Sequence, residues 1–262
     1  MIKLPKYIFA VILFVGTVTA IAYMSFGIKT DVSNKIKYIE ISGNVHLSRF
    51  VYIAFAKLNN KRNYQSITVQ IIKDRIEKHP YVDFADVRYD GNGKVSVTIK
   101  EKNFESLMFD GEEQYLITDE LQVLPVLENS LKIDYPIIAN VQQDEAIKML
   151  LSIKKNYDVL TAAKIIGAVK LANPEMHDAL SSIDMQFGGE ISIYFSSFDY
   201  PVKIGRGNEL QKVLYFSSFW NYLKGKELNK YMDYVDLRYG GHIFLGLLEN
   251  IEQNQEEMDK KS

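Results

Sequence analysis

The chain contains no cysteine among its 262 residues, and its charges nearly cancel. The lack of cysteine excludes disulfide bonds, thiol nucleophiles and cysteine-ligated metal sites. A formal net charge of −2 gives no basis for nucleic-acid binding, which requires a basic surface. Hydrophobic residues make up 47% of the chain, which is typical of a globular protein with its own core.

The sequence also lacks the residue clusters of a catalytic or metal site. Its four histidines are scattered, with no H-E-x-x-H motif and no carboxylate at ligand spacing. They are His46, His79, His177 and His242. We therefore expect no metal, no cofactor and no small-molecule substrate.

One tetrapeptide has the spacing of a nucleophile motif. Residues 152–155 read S-x-x-K, as in penicillin-binding enzymes, but no S-D-N or K-T-G motif follows them. An exported hydrolase with Ser152 as nucleophile is the rival interpretation. Because no nucleophile is accompanied by its base, we predict that the protein is not an enzyme.

The turn Gly205-Arg206-Gly207 is not a phosphate-binding loop, since the third glycine of G-x-G-x-x-G is missing. Asn208 is a favoured N-cap residue, so a helix that begins there explains the turn better. The spacing of Phe216, Phe219 and Trp220 along that helix predicts a stripe that faces the core.

Only one long apolar run is present, over residues 7–28, and it contains no charge. A helix of that length reaches roughly 33 Å at about 1.5 Å per residue, enough to cross a hydrocarbon core of ~30 Å. Lys3 and Lys6 precede it, so the positive-inside rule places residues 1–6 in the cytoplasm. The run predicts a single-pass anchor with the bulk of the chain outside the cytoplasm.

A cleavable signal peptide is the competing interpretation of the same residues, because Ala20-Ile21-Ala22 has the A-x-A form of a cleavage site. The apolar run continues to Ile28, beyond such a site, and this favours the anchor. Both interpretations place the rest of the chain outside the cytoplasm.

Residues 36–102 have the element order β-α-α-β-β. Strands are predicted at 36–42, 82–89 and 94–100, and helices at 48–58 and 69–79. Thr68 caps the second helix and Pro80 ends it. The last two strands are joined by Asp90-Gly91-Asn92-Gly93, and an Asn-Gly pair between alternating segments is a strong hairpin signal.

Residues 104–248 mix strands with helices. Helices are predicted at 144–155 and 161–172, and the longest soluble helix starts at Asn208. The last two strands are predicted at 231–239 and 242–248. Strands and helices do not alternate throughout, so we expect an α+β fold with an antiparallel sheet. The polar tail, residues 249–262, is predicted to be disordered.

The first of these regions resembles a POTRA (polypeptide-transport-associated) domain. The likeness is carried by YIEISGN at 38–44 and HPYVDFADVRYDGNGKVSVTIKEKN at 79–103. A recurrent phrase of the family is matched at His79, Pro80, Val82, Ala85 and Val87. The family usually has a proline near the position of Asn103, so this chain departs from it there.

The second region is similar to the C-terminal part of the FtsQ/DivIB cell-division family. The likeness is carried by YPVKIGRGNELQKVLYFSSFWNYL at 200–223 and YVDLRYGG at 234–241. The family has a cytoplasmic stub, a transmembrane helix, a POTRA domain and a β domain. Here these correspond to residues 1–6, 7–28, 36–103 and 104–248, so the resemblance covers nearly the whole chain.

This resemblance implies a partner-binding site near the end of the β domain, where the family recruits FtsB and FtsL. The positions that correspond are Arg238 and Tyr239 and, more weakly, Gly240, His242 and Phe244. Alternation within YVDLRY places Asp236 and Arg238 on the same face as an exposed pair. A strand so near the end of the chain is expected at a sheet edge, where an extended partner can be recruited.

The expected function is that of a non-enzymatic, membrane-anchored divisome scaffold. It would lie in the cytoplasmic (inner) membrane at the division septum and gather FtsB- and FtsL-like proteins, with other divisome proteins bound through the POTRA domain. The alternative is an anchored POTRA module of an envelope-assembly or protein-transport system. The plainer interpretation of Arg238 and Tyr239 is that both are surface residues of a structural hairpin.

Overall fold

The computed structural model describes residues 6–27, 36–128, 130, 134–143 and 145–248. The predicted disordered tail, residues 249–262, lies outside the described residues, as do residues 1–5 of the predicted cytoplasmic stub.

A helix, α1, covers Lys6–Gly27 and so includes nearly all of the apolar run over residues 7–28. By length and hydropathy, none of the helices in the described ranges qualifies as a membrane span. The single-pass anchor over residues 7–28 therefore stays a prediction.

A three-stranded sheet with two helices follows. Its elements are β1 (Tyr38–Ser42), α2 (Arg49–Phe55), α3 (Val69–Glu77), β2 (Val82–Tyr89) and β3 (Lys94–Glu101). The strand order is β1-β3-β2, with β1 parallel and β2 antiparallel to β3. This confirms the predicted β-α-α-β-β order, with a 3₁₀ helix over Lys61–Ser66 added between the α-helices.

Local signals in the sequence account for these elements. Thr68 Oγ1 accepts a hydrogen bond from the Ile71 backbone N–H at 3.3 Å and so caps α3. At the β2–β3 turn, Asp90 Oδ1 accepts hydrogen bonds from the backbone N–H groups of Asn92 and Lys94. The turn and the cap thus form where the sequence predicted them.

A nine-stranded sheet with three helices makes up the rest. Its strands are β4 (Phe104–Asp110), β5 (Glu113–Thr118), β6 (Val123–Pro125), β7 (Ile137–Ala139), β8 (Leu180–Asp184), β9 (Ser192–Phe195), β10 (Val202–Lys203), β11 (Met232–Asp236) and β12 (Phe244–Leu247). Its helices are α4 (Tyr157–Ala172), α5 (Pro174–Asp178) and α6 (Glu209–Leu223). The strand order is β12-β11-β10-β9-β8-β7-β4-β5-β6.

The prediction of an antiparallel sheet is wrong, because three neighbouring pairs are parallel. These are β4 with β7, β7 with β8, and β10 with β11. Parallel neighbours need a crossover connection, and α4 and α6 lie in two of the three connections. The mixed α+β class is confirmed, and its sheet is mixed rather than antiparallel.

The helix predicted over 144–155 is absent from the described part of that segment, residues 145–155. Instead, Leu150 N–H donates to Val123 O, Val123 N–H donates to Leu151 O, and Ile153 N–H donates to Leu121 O. These backbone groups therefore bond to residues 121–123 instead of to one another along a helix. The next helix starts at Tyr157 rather than at residue 161 and has 16 residues against 15 in α6, so the prediction that the longest soluble helix starts at Asn208 is wrong.

The nine-stranded sheet has a core on one face and the first domain against part of the other. Met108 and Ile117 of β4 and β5 belong to the core that includes buried residues of α4 and α6. Leu116, next to Ile117 and therefore on the opposite face, joins the core of the first domain, and so does Phe104, because a β-bulge between Phe104 and Ser106 turns it to that face. Tyr81 of that domain donates from its hydroxyl to Pro125 O at 2.9 Å, so a hydrogen bond also joins the two domains.

Candidate functional site

The strand β12 forms one edge of the nine-stranded sheet and pairs only with β11 in the described part of the chain. Leu248 N–H donates to Tyr231 O at 2.9 Å and therefore points toward β11. Because backbone N–H groups alternate in direction along a strand, those of Phe244 and Gly246 also point toward β11. The N–H groups of Leu245 and Leu247 then point away from the sheet, at its open edge.

The opposite edge of the sheet, β6, is not open in this way. Residues 150–153 lie along it and exchange backbone hydrogen bonds with residues 121–123. The Gln122 side chain adds a bond to Leu150 O at 2.7 Å. Within the described ranges, one edge of the sheet is covered by the chain itself and the other is open.

The open edge carries apolar side chains on both faces of β12. Phe244, Leu245, Leu247 and Leu248 are all exposed. Just before the strand, Tyr239 is 59% exposed and its ring lies edge-on to Phe244, with ring centroids 5.4 Å apart. An exposed apolar edge strand is a site for pairing with another chain unless it is blocked.

Asp236 and Arg238 form a close ion pair between β11 and the turn. Arg238 Nε lies 3.0 Å from each Asp236 carboxylate oxygen and Nη2 lies 2.6 Å from Oδ2. The Arg238 backbone N–H also donates to Asp236 Oδ1. The hydrogen bonds from Arg238 lower the pKa of Asp236 below its usual value. The expectation of an exposed pair is wrong for Asp236, which is 3% exposed because β11 ends there and Arg238 folds back over it.

Gly205, in the segment YPVKIGRG, lies against Arg238 of the segment YVDLRY. Its φ is +59°, and an added Cβ would lie 2.9 Å from Arg238 Cγ and 2.6 Å from Glu190 Oε2. Both the backbone conformation and the contact favour glycine. The side chain of Arg238 thus passes directly over the turn that follows β10.

Arg206, the next residue, donates hydrogen bonds to other residues of the same domain. Its Nη2 donates to Asp158 Oδ1 at 2.7 Å and to Met185 O at 3.1 Å, and its Nε donates to Gly189 O. Asp158 is buried and also accepts from the Gln142 backbone N–H. The Asp158 partner was not predicted, because nothing in the sequence relates it to a turn 48 residues away.

The helix α6 begins after Asn208 as predicted, but the prediction that the Asn208 side chain caps it is wrong. Asn208 holds the N-cap position of α6, but its φ is +57° and its side chain makes no capping bond. Glu209 Oε1 instead accepts a hydrogen bond from Gly207 N–H at 2.6 Å. Of the predicted core stripe, Phe216 and Trp220 are buried, and Phe219 is partly buried and packs against the same core.

The five predicted partner-binding residues lie together on one surface. Arg238 follows β11, Tyr239 and Gly240 begin a turn that His242 closes with a backbone hydrogen bond to Tyr239 O, and Phe244 begins β12. Leu245, Leu247 and Tyr215 of α6 border the same surface and were not predicted as site residues. A second i, i+4, i+7 pattern along α6, beside its core stripe, is the signal that points to Tyr215.

No chemistry-bearing cluster accompanies this surface. In the described ranges, no group of three or more histidine and carboxylate side chains is placed to hold a metal ion. Ser152 lies in the extended segment beside β6. The S-x-x-K motif therefore does not bring Ser152 and Lys155 together on one helical turn.

Comparison with known proteins defines the class of the protein. Residues 34–102 match the family model described as "POTRA domain, FtsQ-type". Residues 107–238 match the model described as "Cell division protein FtsQ/DivIB, C-terminal". The chain therefore carries a POTRA domain followed by the C-terminal domain of a cell-division protein.

The "Cell division protein FtsQ" of Geotalea daltonii is 21% identical over 236 residues, covering 87% of this chain and 82% of that relative. The chain belongs to the FtsQ/DivIB family of cell-division proteins. The resemblance in the sequence motifs is thus confirmed.

Proposed function

We propose that the protein is a non-enzymatic, membrane-anchored scaffold of the division machinery that gathers FtsB- and FtsL-like proteins at the septum. Membership of the FtsQ/DivIB family supports the role in cell division. The observation that carries the proposal is the contrast between the covered β6 edge and the open β12 edge.

The mode of binding in this proposal is strand addition. The outward N–H groups of Leu245 and Leu247 offer main-chain hydrogen bonds to an extended segment of a partner. Tyr239 supplies an exposed aromatic side chain beside them, and tyrosine is enriched among residues that dominate binding energy. Arg238, Gly240 and His242 complete the surface.

The arrangement in the cell is also part of the proposal. Residues 7–28 anchor the chain in the cytoplasmic membrane with residues 1–6 inside, supported by the uncharged run and the family's order of segments. The POTRA domain then spans 36–103 and meets other divisome proteins. The β domain spans 104–248 and presents the site.

The test distinguishes the contribution of the β12 backbone to partner binding from the contribution of its side chains. The full-length protein in detergent is titrated with the FtsB- and FtsL-like proteins of the same organism, as wild type, Leu245→Ala and Leu245→Pro. Proline removes the outward N–H without removing a bond to β11. We expect Leu245→Pro to weaken binding at least tenfold more than Leu245→Ala, about 1.4 kcal/mol. Equal affinities in folded variants would contradict strand addition.

Localisation tests the cellular role. A fluorescent fusion of the full chain is expected to gather at the division site. An even distribution around the envelope would favour the alternative of an envelope-assembly or transport module.

A further inference from the structure

The two folded regions carry net charges of opposite sign. Residues 36–103 contain 12 lysines and arginines against 7 aspartates and glutamates, a formal net charge of +5. Residues 104–248 contain 13 of the basic residues against 20 of the acidic ones, a formal net charge of −7. Such a difference between two parts of one chain is typical of a protein whose basic part meets an anionic surface.

The positive charge of the first domain is concentrated in one stretch of sequence. From residue 41 to residue 73 there are five lysines and arginines and no aspartate or glutamate. Lys61 and Arg62 begin the 3₁₀ helix that precedes α3, and both are exposed. Within the described residues of this domain, the lysines and arginines that form ion pairs are others, namely Lys73, Arg88, Lys94 and Lys100. The charges of Lys61 and Arg62 are therefore available to an outside partner.

The chain enters the first domain beside the turn between β2 and β3. Lys37 N–H donates to Gly93 O at 2.7 Å, and Tyr38 pairs with the first residue of β3. The eight residue steps from the end of the proposed anchor, residue 28, to Ile36 span at most about 29 Å, because an extended chain advances at most about 3.6 Å per residue. This end of the domain, which we call the anchor-side end, is therefore tethered close to the membrane surface.

Lys61 and Arg62 lie toward the anchor-side end. The helix α3 packs against β2, and only four residues connect the end of the helix to the start of the strand. Glu77 Oε1, at the end of α3, accepts a hydrogen bond from Ala85 N–H in the first half of β2. Because α3 thus runs antiparallel to β2, its beginning is directed toward the β2–β3 turn. The 3₁₀ helix leads into α3 at that beginning.

We infer that the first domain binds the anionic lipid head groups of the membrane that anchors the chain, through Lys37, Lys61 and Arg62. We call these three exposed residues the lipid-facing cations. The inference rests on the anchor of the proposed function and adds a second membrane contact to it. The same head groups repel the second domain, whose net charge is −7. The contact therefore keeps the open β12 edge on the side away from the membrane.

Three cations are enough for this contact because the anchor already holds the domain near the lipid. Each lysine or arginine close to an anionic bilayer raises the association constant about fivefold. The contact forms within one tethered molecule, so it competes only with the detached positions that residues 29–35 allow. Salt weakens the contact, since the Debye length shortens from about 10 Å at 0.1 M to about 3 Å at 1 M ionic strength.

The lack of cysteine makes the contact measurable in the full-length protein. Asn63→Cys introduces a single labelling site at an exposed residue of the same 3₁₀ helix. The fluorescently labelled protein is placed in nanodiscs of phosphatidylcholine, alone or mixed with phosphatidylglycerol, with an energy-transfer acceptor on the lipid head groups. We expect a larger fraction of docked molecules, seen as high energy transfer, in the anionic nanodiscs at low salt. High salt should remove the difference.

A matched pair of double variants tests the lipid-facing cations. Lys61→Gln with Arg62→Gln should lower the ratio of docked to detached molecules about thirtyfold in the anionic nanodiscs. The control, Lys78→Gln with Lys100→Gln, removes the same charge at the opposite end of the domain. Lys78 follows the end of α3, and Lys100 pairs with Asp83 near the start of β2. Because salt screens the lipid charge at that distance, the control should change the ratio by less than about twofold.

Equal energy transfer in both kinds of nanodisc, or an equal response to the two double variants, would overturn the inference. If transfer is independent of the lipid and Lys61→Gln with Arg62→Gln weakens binding of the FtsB- and FtsL-like proteins, these cations serve an acidic protein partner and the lipid contact is overturned. If alkaline carbonate washes the wild-type chain from lipid vesicles, the proposed anchor itself fails. The failure of the contact and the failure of the anchor are therefore distinguishable.

Discussion

The ring of Tyr239 lies edge-on to that of Phe244, with centroids 5.4 Å apart, so the turn after β11 and the first residue of the edge strand form one aromatic surface. We expect Tyr239→Ala to weaken binding of the FtsB- and FtsL-like proteins at least tenfold, because exposed tyrosines anchor interfaces. Titration of the full-length protein measures this. Tyr157→Ala, also at an exposed tyrosine, is the control and should bind as wild type does.

The Asp236–Arg238 ion pair should contribute more to the free energy of unfolding than the exposed Asp86–Arg88 ion pair. Arg238→Ala removes the partner of a buried carboxylate, and an unpaired buried charge is strongly unfavourable. Arg88→Ala is a matched control, because Arg88 and Asp86 are also two residues apart and their pair lies on the surface. Urea unfolding should show a larger loss of unfolding free energy for Arg238→Ala.

The pH dependence of that loss has a definite sign. The folded-state pKa of Asp236 is lowered from its usual value of 3.8, so the pair contributes stability above that value. The contribution disappears as the pH falls through the lower folded pKa and the carboxylate becomes protonated. The difference between wild type and Arg238→Ala should therefore shrink below pH 3.8. A difference that grows on acidification would contradict the assignment.

Gly205 should tolerate a side chain less well than the nearby Gly207. Both have positive φ, but an added Cβ meets Arg238 Cγ at 2.9 Å only at position 205. Gly207→Ala should cost about 1 kcal/mol of unfolding free energy for backbone strain alone. Gly205→Ala should cost about 1–3 kcal/mol more, from overpacking. Chemical denaturation of both variants measures the difference, and equal losses would mean that Arg238 moves aside freely.

His79 makes the fold sensitive to mild acid. Burial lowers the pKa of His79 from 6.5 to about 4, against the opposing charge of Glu101. Between pH 6.5 and about 4, His79 is protonated in the unfolded chain but stays neutral in the folded chain. The free energy of unfolding therefore falls as the pH drops from 6.5 toward 4. The loss is at most about 3 kcal/mol. His79→Gln should flatten this part of the stability profile, measured by urea unfolding at a series of pH values.

Much of the first domain follows from local sequence signals. The Thr68 cap and the Asp90 turn lie close to their own elements in sequence, so each is specified locally. The parallel pairings of the second sheet join strands that are distant in sequence, and no local pattern encodes them. The apolar spacing of residues 144–155 resembled a helix because Ile147 and Ile153 both pack against the core, which they do from a segment of turns beside β6.

The site was predicted only in part, for related reasons. The motif YVDLRY identified the turn that contains Arg238 and Tyr239. The expectation of an exposed pair failed there because β11 ends at Asp236 and the Arg238 side chain folds back onto the Asp236 carboxylate. The open edge of β12 depends on the strand order of the whole sheet, which the sequence does not show.

The central claim is that a partner adds a strand to β12, and amide hydrogen exchange tests it most directly. The exchange of Leu245 and Leu247 is measured at residue level in the full-length protein, with and without saturating FtsB- and FtsL-like proteins. Their N–H groups point outward, so binding should slow their exchange at least tenfold. Those of Phe244 and Gly246, already directed at β11, should change much less. Unchanged exchange at Leu245 and Leu247 in the saturated complex would contradict strand addition.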